Sequence, residues 1–446
     1  MRINPKEQDA SERVKNFDEV CLGYSEEEAV KEASRCLLCK NPQCVKGCPV
    51  GIDIPKFIKE IKEGKAQDAI STIKEKNSLP GICGRVCPQE EQCEGKCILG
   101  VKGEAVNIGK LERYAADKEE KKDNERIKVN GKRVAVIGSG PSGLTCAAEL
   151  AKKGHSVKIF EALHKTGGVL RYGIPSFRLP DKTVDEEVKK IKELGVEIEL
   201  NSITGKTMSF KSLLDDFDAV FIGVGAGLPY FMNIPGENLQ NVYSANEFLT
   251  RCNLMNAKEF PNFITPVKRA RKCVVIGGGN VAMDSARTAK RLGAEVIIVY
   301  RRSEEEMPAR KEEIRHAKEE EIKFELLANP ARILGEQKVS GIECIKMKLG
   351  EPDESGRKRP VPAEGSNFVI ECDQVIVAIG QGPNPLLIKQ SGLKTGKKGN
   401  LEVDPEMRCS EKAWAAGDIT SGASTVIQAM GDAKKAAASI DKYLKR

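Results

Sequence analysis

The fold of this 446-residue chain is decided by one stretch, Arg133-Val134-Ala135-Val136-Ile137-Gly138-Ser139-Gly140-Pro141-Ser142-Gly143. After Arg133, residues 134–137 form an apolar run rich in β-branched side chains, typical of a buried strand, and the glycines follow the spacing G-x-G-x-x-G before an amphipathic helix. Glycine permits a tight turn there, so backbone N–H groups at the helix start can approach a pyrophosphate closely. The stretch predicts a dinucleotide site that contains Gly138, Gly140, Pro141, Ser142 and Gly143.

A carboxylate follows the next predicted strand. The run Ser156–Phe160 ends at Glu161, about twenty residues past the glycines, where such folds place the acceptor for a ribose hydroxyl. The alternative is a glycine turn that binds nothing, which the strand before it and the helix after it disfavour. An acid at this position suits the adenosine half of FAD.

A second glycine motif lies further along the chain. The predicted strand Lys272–Ile276 leads into Gly277, Gly279, Asn280, Val281 and Ala282. The strand after it ends in a pair of arginines instead of an acid, and a 2′-phosphate requires cations where a free 2′-hydroxyl requires a carboxylate. We therefore predict an NADP(H) site, with these candidate cations: Arg301, Arg302 and, as a third, Arg310. The alternative is that the arginines are simply exposed at the end of a strand.

Two cysteine quartets precede both glycine motifs. The first comprises Cys36, Cys39, Cys44 and Cys48, followed by Pro49, and the second comprises Cys83, Cys87, Cys93 and Cys97. Structural zinc sites use two separated knuckles, whereas a compressed run that ends in Cys-Pro is typical of iron–sulfur ligation. Two 4Fe-4S clusters are favoured, and zinc sites are the alternative.

Composition limits the other classes of protein to which this chain can belong. Charged residues make up 31% of the chain, hydrophobic residues 40%, and the net charge is +7, with lysines interleaved among glutamates. This balance indicates neither a nucleic-acid-binding surface nor a membrane span, and Met1-Arg2-Ile3 begins no signal peptide. We expect a cytoplasmic protein. The three histidines lie in polar contexts and are expected to be solvated.

The texture of the sequence changes along the chain. Residues 1–115 are rich in cysteine and helical in pattern, for example from Ile54 to Ile73. Residues 116–131 are charged and read as a linker. From 132 onward short β-branched runs alternate with helices, which predicts parallel α/β sheets. Near the C-terminus Gly417 and Asp418 follow a predicted strand, where an aspartate can contact a flavin.

At this point the chain resembles the small subunit of NADPH-dependent glutamate synthase. It is also similar to the large subunit of NADH-dependent ferredoxin:NADP oxidoreductase and to the N-terminal half of dihydropyrimidine dehydrogenase. The resemblance covers nearly the whole chain. Its most specific motifs are Cys36–Pro49, Gly84–Pro88, Arg171–Pro175 with Phe177–Pro180, Gly279–Asp284, Tyr300–Ser303 and Ala416–Asp418.

The resemblance implies a layout of domains and cofactor sites. A helical iron–sulfur domain, 1–115, would precede two Rossmann-like domains of the glutathione-reductase type, with an NADPH domain, 246–374, inserted into an FAD domain formed by 132–245 and 375–446. Beyond the glycines and Glu161, FAD would be bound by Gly168, Val169, Arg178, Gly417 and Asp418. The strand end that carries Ala378 and Gly380 would face the nicotinamide.

The resemblance also assigns the cluster ligands. One 4Fe-4S cluster would be held by Cys36, Cys39, Cys44 and Cys97. The other would be held by Cys48, Cys87 and Cys93, with the carboxylate of Glu112 in the fourth position. Cys83 would then hold no iron, although spacing alone would assign it to a cluster.

The implied function is electron input. NADPH would pass hydride to FAD, and single electrons would reach a partner subunit through the clusters, with no side chain acting as acid, base or nucleophile. The partner would be a glutamate synthase large subunit. The alternatives are a bifurcating transhydrogenase, with a flavin and 2Fe-2S partner and ferredoxin, and a standalone flavin dehydrogenase of a small molecule.

Overall fold

The computed structural model describes residues 1–120, 128–353 and 356–445, and it contains one helical unit and two sheet units. The predicted class, a helical domain followed by two α/β units, is confirmed. The predicted linker, 116–131, lies partly outside the described residues. Its first residues end the last helix of the helical unit.

The helical unit is built from short helices around a shared apolar core. The predicted periodicity from Ile54 to Ile73 is divided between two helices because Gly64, at φ +74°, takes the left-handed conformation that ends the first one. Two short strands, Lys6–Glu7 and Cys21–Gly23, pair antiparallel. The helices are Ala10–Arg13, Glu26–Ala33, Gln43–Lys46, Ile54–Lys62, Ala66–Lys74, Pro80–Val86 and Ile108–Asp117.

The first sheet unit carries the first glycine motif. Its six strands stand in the order Arg408–Ser410, Ala413–Ala415, Ala219–Ile222, Arg133–Ile137, Ser156–Phe160 and Glu197–Glu199, and only the first of these runs antiparallel to its neighbour. Its helices are Pro141–Ala151, Val169–Tyr172, Asp181–Glu193, Phe210–Asp216, Pro385–Ser391, Asp418–Ser421 and Val426–Leu444.

The second sheet unit carries the second glycine motif. Its five parallel strands stand in the order Lys323–Leu326, Glu295–Tyr300, Lys272–Ile276, Gln374–Val377 and Val242–Ser244. Its helices are Ala245–Cys252, Asn280–Arg291 and Lys311–Glu319. Hydrogen bonding therefore places 242–244 and 374–377 in this sheet, whereas the predicted boundaries, 132–245 and 375–446, assign most of these residues to the FAD domain.

Antiparallel strands extend the second unit. Three of them, Ala328–Gly335, Val339–Pro352 and Lys358–Glu371, form a sheet with a long hairpin, and two short ones, Leu228–Pro229 and Gln381–Gly382, pair where the chain passes between the sheet units. No helix among the described residues has both the length and the apolar composition needed to cross a lipid bilayer.

Two of the three histidines are not solvated as expected. His155 and His316 are buried, and only His164 is exposed. Their ring nitrogens lie beside carboxylates, with His155 Nε2 2.9 Å from Asp441 Oδ1 and His316 Nε2 3.1 Å from an oxygen of Glu7. A polar neighbourhood in sequence did not reveal these partners because both lie far along the chain.

Candidate functional site

The first glycine motif has the geometry of a phosphate-binding turn. Gly138 lies at φ +97°, and a Cβ there would be 2.6 Å from the Gly223 carbonyl oxygen, so only glycine fits without a shift. A Cβ at Gly143 would lie 1.9 Å from the carbonyl oxygen of Gly138. No atom lies within 4 Å of the Cβ position at Gly140, which precedes the helix Pro141–Ala151. The helix start is therefore open to a ligand.

Glu161 stands beside this turn, as the sequence predicts. It is buried at the end of its strand and accepts hydrogen bonds from the backbone N–H groups of Ser139 and Leu163, both at 2.8 Å. Its carboxylate is thus fixed next to the glycines, where it can accept a hydrogen bond from a ribose hydroxyl.

Two further predicted segments converge on the same turn. Gly168, at φ +54°, approaches so closely that its Cβ would be 3.0 Å from the Gly140 Cα, and a Cβ at Gly417 would be 3.1 Å from Ser142 Oγ. Val169 and Asp418 each begin a short helix directly after these glycines. Burial raises the pKa of Asp418 to about 6. A side chain at Gly168 or at Gly417 would crowd the first glycine turn. The two glycines therefore keep this turn open, as FAD binding requires.

Arg178, predicted to contact FAD, is committed elsewhere. Its Nη1 donates to both carboxylate oxygens of Asp284, at 2.8 and 2.7 Å, and its Nε lies 2.8 Å from Glu313 Oε1. All three side chains are almost completely buried. The guanidinium therefore joins the two sheet units through Nη1 and Nε, and its predicted contact with FAD stays a prediction.

The second glycine motif forms another tight turn. Gly277 lies at φ +137°, and a Cβ there would be 2.3 Å from the Ala378 carbonyl oxygen. Gly277 and Ala378, both predicted to bind the nucleotide, therefore lie in contact. A Cβ at Gly278 would lie 2.7 Å from the ring of Tyr300. Gly279 precedes the helix Asn280–Arg291, in which Ala282 is buried and Val281 partly exposed.

The strand end beyond Ala378 lies beside this turn. Ala378 N–H donates to the Ile276 carbonyl oxygen at 2.8 Å. Gly380, at φ +109°, lies against the Tyr230 ring, which is 3.5 Å from its Cβ position. Ala378 therefore adjoins the second glycine turn and Gly380 lies against Tyr230, while the prediction that both face the nicotinamide stays a prediction.

The three candidate cations for the 2′-phosphate have separate roles. Arg301 is exposed, and no described residue forms a hydrogen bond or ion pair with it. Arg302 is buried and binds Asp353, at 2.5 Å, and the Lys358 carbonyl oxygen, at 2.7 Å. The prediction of a phosphate contact therefore stays open for Arg301, whereas Arg302 binds the turn end of the long hairpin.

Arg310 is also occupied. Its guanidinium donates to Gln89 Oε1 at 3.0 Å and to the Arg85 carbonyl oxygen at 3.1 Å, and its backbone N–H donates to Asn280 Oδ1 at 3.0 Å. Gln89 lies just after the Cys87-Pro88 turn. Arg310 therefore links the second glycine turn to the cysteine unit, a role that sequence spacing does not reveal.

The first predicted thiol set surrounds one cavity. Cys36, Cys39, Cys44 and Cys97 line an opening of about 100 Å³ together with apolar side chains. Burial, with the neighbouring thiols, raises the pKa of Cys44 to about 11, against a backbone hydrogen bond. Several thiolates cannot be held together there without a cation to offset their charge, which is what iron in a cluster supplies.

The second predicted set also lies together. Glu112 raises the pKa values of Cys48, Cys87 and Cys93 by charge, after larger contributions that include burial, so these four groups are electrostatic neighbours. Burial raises the pKa of Glu112 itself to about 8, although Asn77 donates a hydrogen bond to it at 2.6 Å. Burial disfavours the charged form of Glu112, and a bound metal ion would offset this cost, so Glu112 fits the role of a metal ligand.

Cys83 stands next to this set but faces other partners. Its buried sulfur lies 3.7 Å from Asn77 Oδ1 and 3.5 Å from the sulfur of Met430. Its backbone carbonyl oxygen accepts a hydrogen bond from the Cys87 N–H at 3.1 Å, one helical turn away. The predicted assignment, iron held by Glu112 and not by Cys83, remains a prediction that this arrangement favours.

One contact was missed by sequence reasoning. Gly431 lies within the long helix Val426–Leu444, and a Cβ there would be 2.9 Å from the Pro49 carbonyl oxygen. The helix that follows Asp418 therefore rests directly on the Cys48-Pro49 turn. A glycine inside an otherwise good helix was the available signal, because it costs stability unless a close approach requires it.

Comparisons with known proteins agree with this arrangement. Residues 13–124 match a family profile described as dihydropyrimidine dehydrogenase domain II, 4Fe-4S cluster, and residues 97–207 and 132–436 match the pyridine nucleotide-disulphide oxidoreductase profile. All fifteen cysteines are unpaired, so no disulfide accompanies the second match.

Individual proteins narrow the comparison. The chain is 36% identical to the glutamate synthase (NADPH) small chain of Halomonas elongata, over 99% of this chain and 96% of that one. It is 39% identical to the NADP(+)-dependent formate dehydrogenase subunit beta of Moorella thermoacetica, over 90% of this chain but only 60% of that one.

Among solved structures, Mycobacterium tuberculosis FprA in complex with NADPH has a similar fold. The TM-score is 0.60 at 22% identity, over 70% of this chain and 85% of that chain. The glycine turns, the thiol sets and these matches lead to one conclusion. The chain belongs to the family of NADPH-dependent glutamate synthase small chains, and it is an FAD- and NADP(H)-linked oxidoreductase with 4Fe-4S clusters.

Proposed function

We propose that this chain is the electron-input subunit of a glutamate synthase. It oxidises NADPH in its two sheet units and delivers electrons singly, through the helical unit, to a larger subunit that forms glutamate. The observation that carries the proposal is the contact at Gly431, where the helix next to the FAD cleft meets the Cys48-Pro49 turn. A reductase for a small molecule at the flavin has no need of that contact.

The side chains and backbone of the chain bind and orient. FAD and the clusters, when bound, supply the conversion of a hydride into single electrons. The first glycine turn and Glu161 hold the adenosine half of FAD, and the second glycine turn with Arg301 holds NADP(H). The thiols and Glu112 hold iron. No described side chain is required to transfer a proton.

The test begins with anaerobic reconstitution of the protein with FAD, iron and sulfide. NADPH is then expected to bleach the flavin absorbance and to produce the EPR signals of reduced clusters. Addition of a purified glutamate synthase large subunit, glutamine and 2-oxoglutarate should yield glutamate in proportion to the NADPH consumed. No glutamate above background, with full NADPH oxidation by a quinone, would exclude this acceptor.

One observation favours a second acceptor class. The Moorella relative, at 39% identity, is named as part of a formate dehydrogenase, so similar chains serve different complexes. The same reconstituted protein, with NADPH as donor, should therefore be offered a flavin and 2Fe-2S partner together with NAD+ and oxidised ferredoxin as the two electron acceptors. Reduction of ferredoxin that requires that partner, without glutamate formation, would support the bifurcating transhydrogenase instead.

A further inference from the structure

We propose that Asn77 selects the fourth ligand of the second cluster, because its side-chain amide favours the carboxylate of Glu112 and disfavours the thiol of Cys83. The proposal rests on the proposed function, in which Glu112 helps to hold iron. Asn77 is completely buried between the helices Ala66–Lys74 and Pro80–Val86. It binds no metal itself, so its part is that of a positioning residue.

One side-chain amide contacts both candidate ligands. Asn77 Nδ2 donates to Glu112 Oε1 at 2.6 Å, and Cys83 Sγ lies 3.7 Å from Asn77 Oδ1. Glu112 retains 6% of its surface and Cys83 none. Because solvent hardly reaches either group, it does not screen them from the amide, and polar interactions in such surroundings are strong. The two ends of one amide therefore set the polar environment of both candidates.

The backbone fixes which end of the amide faces which group. Leu79 N–H donates to Asn77 Oδ1 at 2.9 Å, and the backbone N–H of Asn77 donates to the Ile73 carbonyl oxygen at 2.9 Å. An amide turned end for end would set its NH2 group against the Leu79 N–H, donor against donor, and its oxygen against the carboxylate, acceptor against acceptor. The nitrogen must therefore face Glu112, and the oxygen must face Cys83.

This orientation treats the two candidates in opposite ways. A side chain binds iron as an anion, either a carboxylate or a thiolate. The N–H dipole of Asn77 stabilises a carboxylate at Glu112, since hydrogen bonds to a charged acceptor are the stronger kind. The partial negative charge on Asn77 Oδ1 opposes a thiolate at Cys83 and accepts from the neutral thiol instead. A single neutral side chain therefore stabilises one ligand and destabilises the other.

The same hydrogen bond positions the carboxylate. Among the described residues, Asn77 alone donates a hydrogen bond to the Glu112 carboxylate, and it occupies Oε1. Oε2 stays available to a metal ion held with the three thiols that are electrostatic neighbours of Glu112, namely Cys48, Cys87 and Cys93. Partners that orient a ligand in this way also tune the metal. The bond from Asn77 thus bears on the reduction potential of the cluster.

The test compares variants of the full chain after anaerobic reconstitution with FAD, iron and sulfide. Asn77→Leu removes the amide at similar side-chain volume, so Cys83 should displace Glu112 from the cluster. A thiolate donates more electron density to iron than a carboxylate does, and a hydrogen bond to the ligand is lost. The midpoint potential of one cluster should therefore fall in an EPR-monitored redox titration. The matched control is Thr72→Val, which should leave both potentials unchanged, since the buried Thr72 Oγ1 also donates to a carboxylate of the helical unit, that of Glu60, at 3.1 Å.

Removal of the competing thiol distinguishes selection from a general disturbance of the site. Cys83→Ala alone should leave the wild-type potentials unchanged. In the Asn77→Leu background it should move the lowered potential back toward the wild-type value, because Glu112 is then the one candidate left. Asn77→Ala, which removes the amide and leaves more room, should behave as Asn77→Leu does.

The possible failures have separate signatures. Wild-type potentials in both Asn77 variants would overturn the selection. So would a lowered potential that Cys83→Ala does not reverse, or loss of one cluster from both variants, because Cys83 would then be no competitor for iron. Loss of a cluster in Cys83→Ala but not in Glu112→Ala would instead overturn the ligand assignment on which the proposal rests. None of these results depends on the electron acceptor, so glutamate formation with a large subunit tests the proposed function separately.

Discussion

Arg178 Nη1 lies 2.8 and 2.7 Å from the two carboxylate oxygens of Asp284, across the boundary between the two sheet units. Glu313 completes the arrangement on the other side of the same guanidinium. Because all three groups are buried, each charge depends on the others for its stability. The relative position of the two nucleotide sites is thus fixed by an ion-pair cluster and not by apolar packing alone.

Removal of Arg178 should therefore be costly. Arg178→Ala leaves the buried Asp284 without its ion-pair partner and Glu313 with Arg287 alone, and we expect the free energy of unfolding to fall by about 3–5 kcal/mol in urea denaturation. The control is Lys15→Ala, which removes an exposed pair with Glu12 and should change it by less than about 1 kcal/mol. Equal effects in the two variants would contradict this account.

The same cluster predicts a dependence on pH. Burial acts to raise the pKa of Glu313, but Arg178 and Arg287 outweigh it and hold that pKa at about 2. Because a depressed acid pKa stabilises the folded state above the unfolded value, the contribution of Glu313 to the advantage of wild type over Glu313→Gln should be fully present above about pH 4.5 and should shrink below that. Denaturation of both proteins at several pH values checks this. An advantage that grows with acidity would refute it.

Gly431 should tolerate no side chain. In Gly431→Ala the new Cβ would approach the Pro49 carbonyl oxygen at 2.9 Å, so the helix must move away from the Cys48-Pro49 turn. We expect a loss of about 1–3 kcal/mol of stability and slower reduction of the clusters by NADPH in stopped-flow absorbance, with menadione reduction retained. Gly396→Ala, which has room for a Cβ, is the matched control.

Nucleotide preference should depend on Arg301 and not on Arg302. Arg301→Ala removes the one of the two that no described residue binds, so KM for NADPH should rise by about tenfold or more while KM for NADH stays constant. In Arg302→Ala the hairpin loses its anchor at Asp353, so stability should fall and the NADPH:NADH ratio should hold. Steady-state kinetics with both nucleotides distinguish these outcomes. Equal preference in wild type would remove the basis of the NADP(H) assignment to Arg301.

The fourth ligand of the second cluster can be tested by iron content. Glu112→Ala should lose the iron and the EPR signal of one cluster, whereas Cys83→Ala should retain both. The reverse pattern would assign the ligand to Cys83, which lies one helical turn before Cys87.

What the sequence predicted well was local. Gly138 and Gly277 stand directly between a strand and a helix, so a few neighbouring residues determine their geometry. The roles of Arg178 and Arg302 could not be predicted in this way. Their partners, Asp284 and Asp353, lie 106 and 51 positions further along the chain, and only the folded arrangement brings them into contact.

The cluster assignments are a third case. Spacing alone assigned Cys83 to a cluster, and a family resemblance was needed to propose the carboxylate of Glu112 in its place. In the structure Asn77 lies beside both groups, donating to Glu112 and accepting from Cys83. A neutral side chain with two such neighbours has no sequence signature.

Through Arg310, the helical unit also helps to position the second nucleotide site. Its guanidinium is bound by Gln89 and by the Arg85 carbonyl group, while its backbone is tied to Asn280 at the nucleotide turn. Arg13 of the same helical unit binds Glu320 of the second sheet unit. The helical unit therefore holds the second sheet unit in place as well as carrying electrons. Excision of residues 1–120 would remove these partners and uncover the buried Arg310, so the second sheet unit would lose stability, although Glu320 would keep Arg287 and Arg291 and the Arg178 cluster would still join the two sheet units.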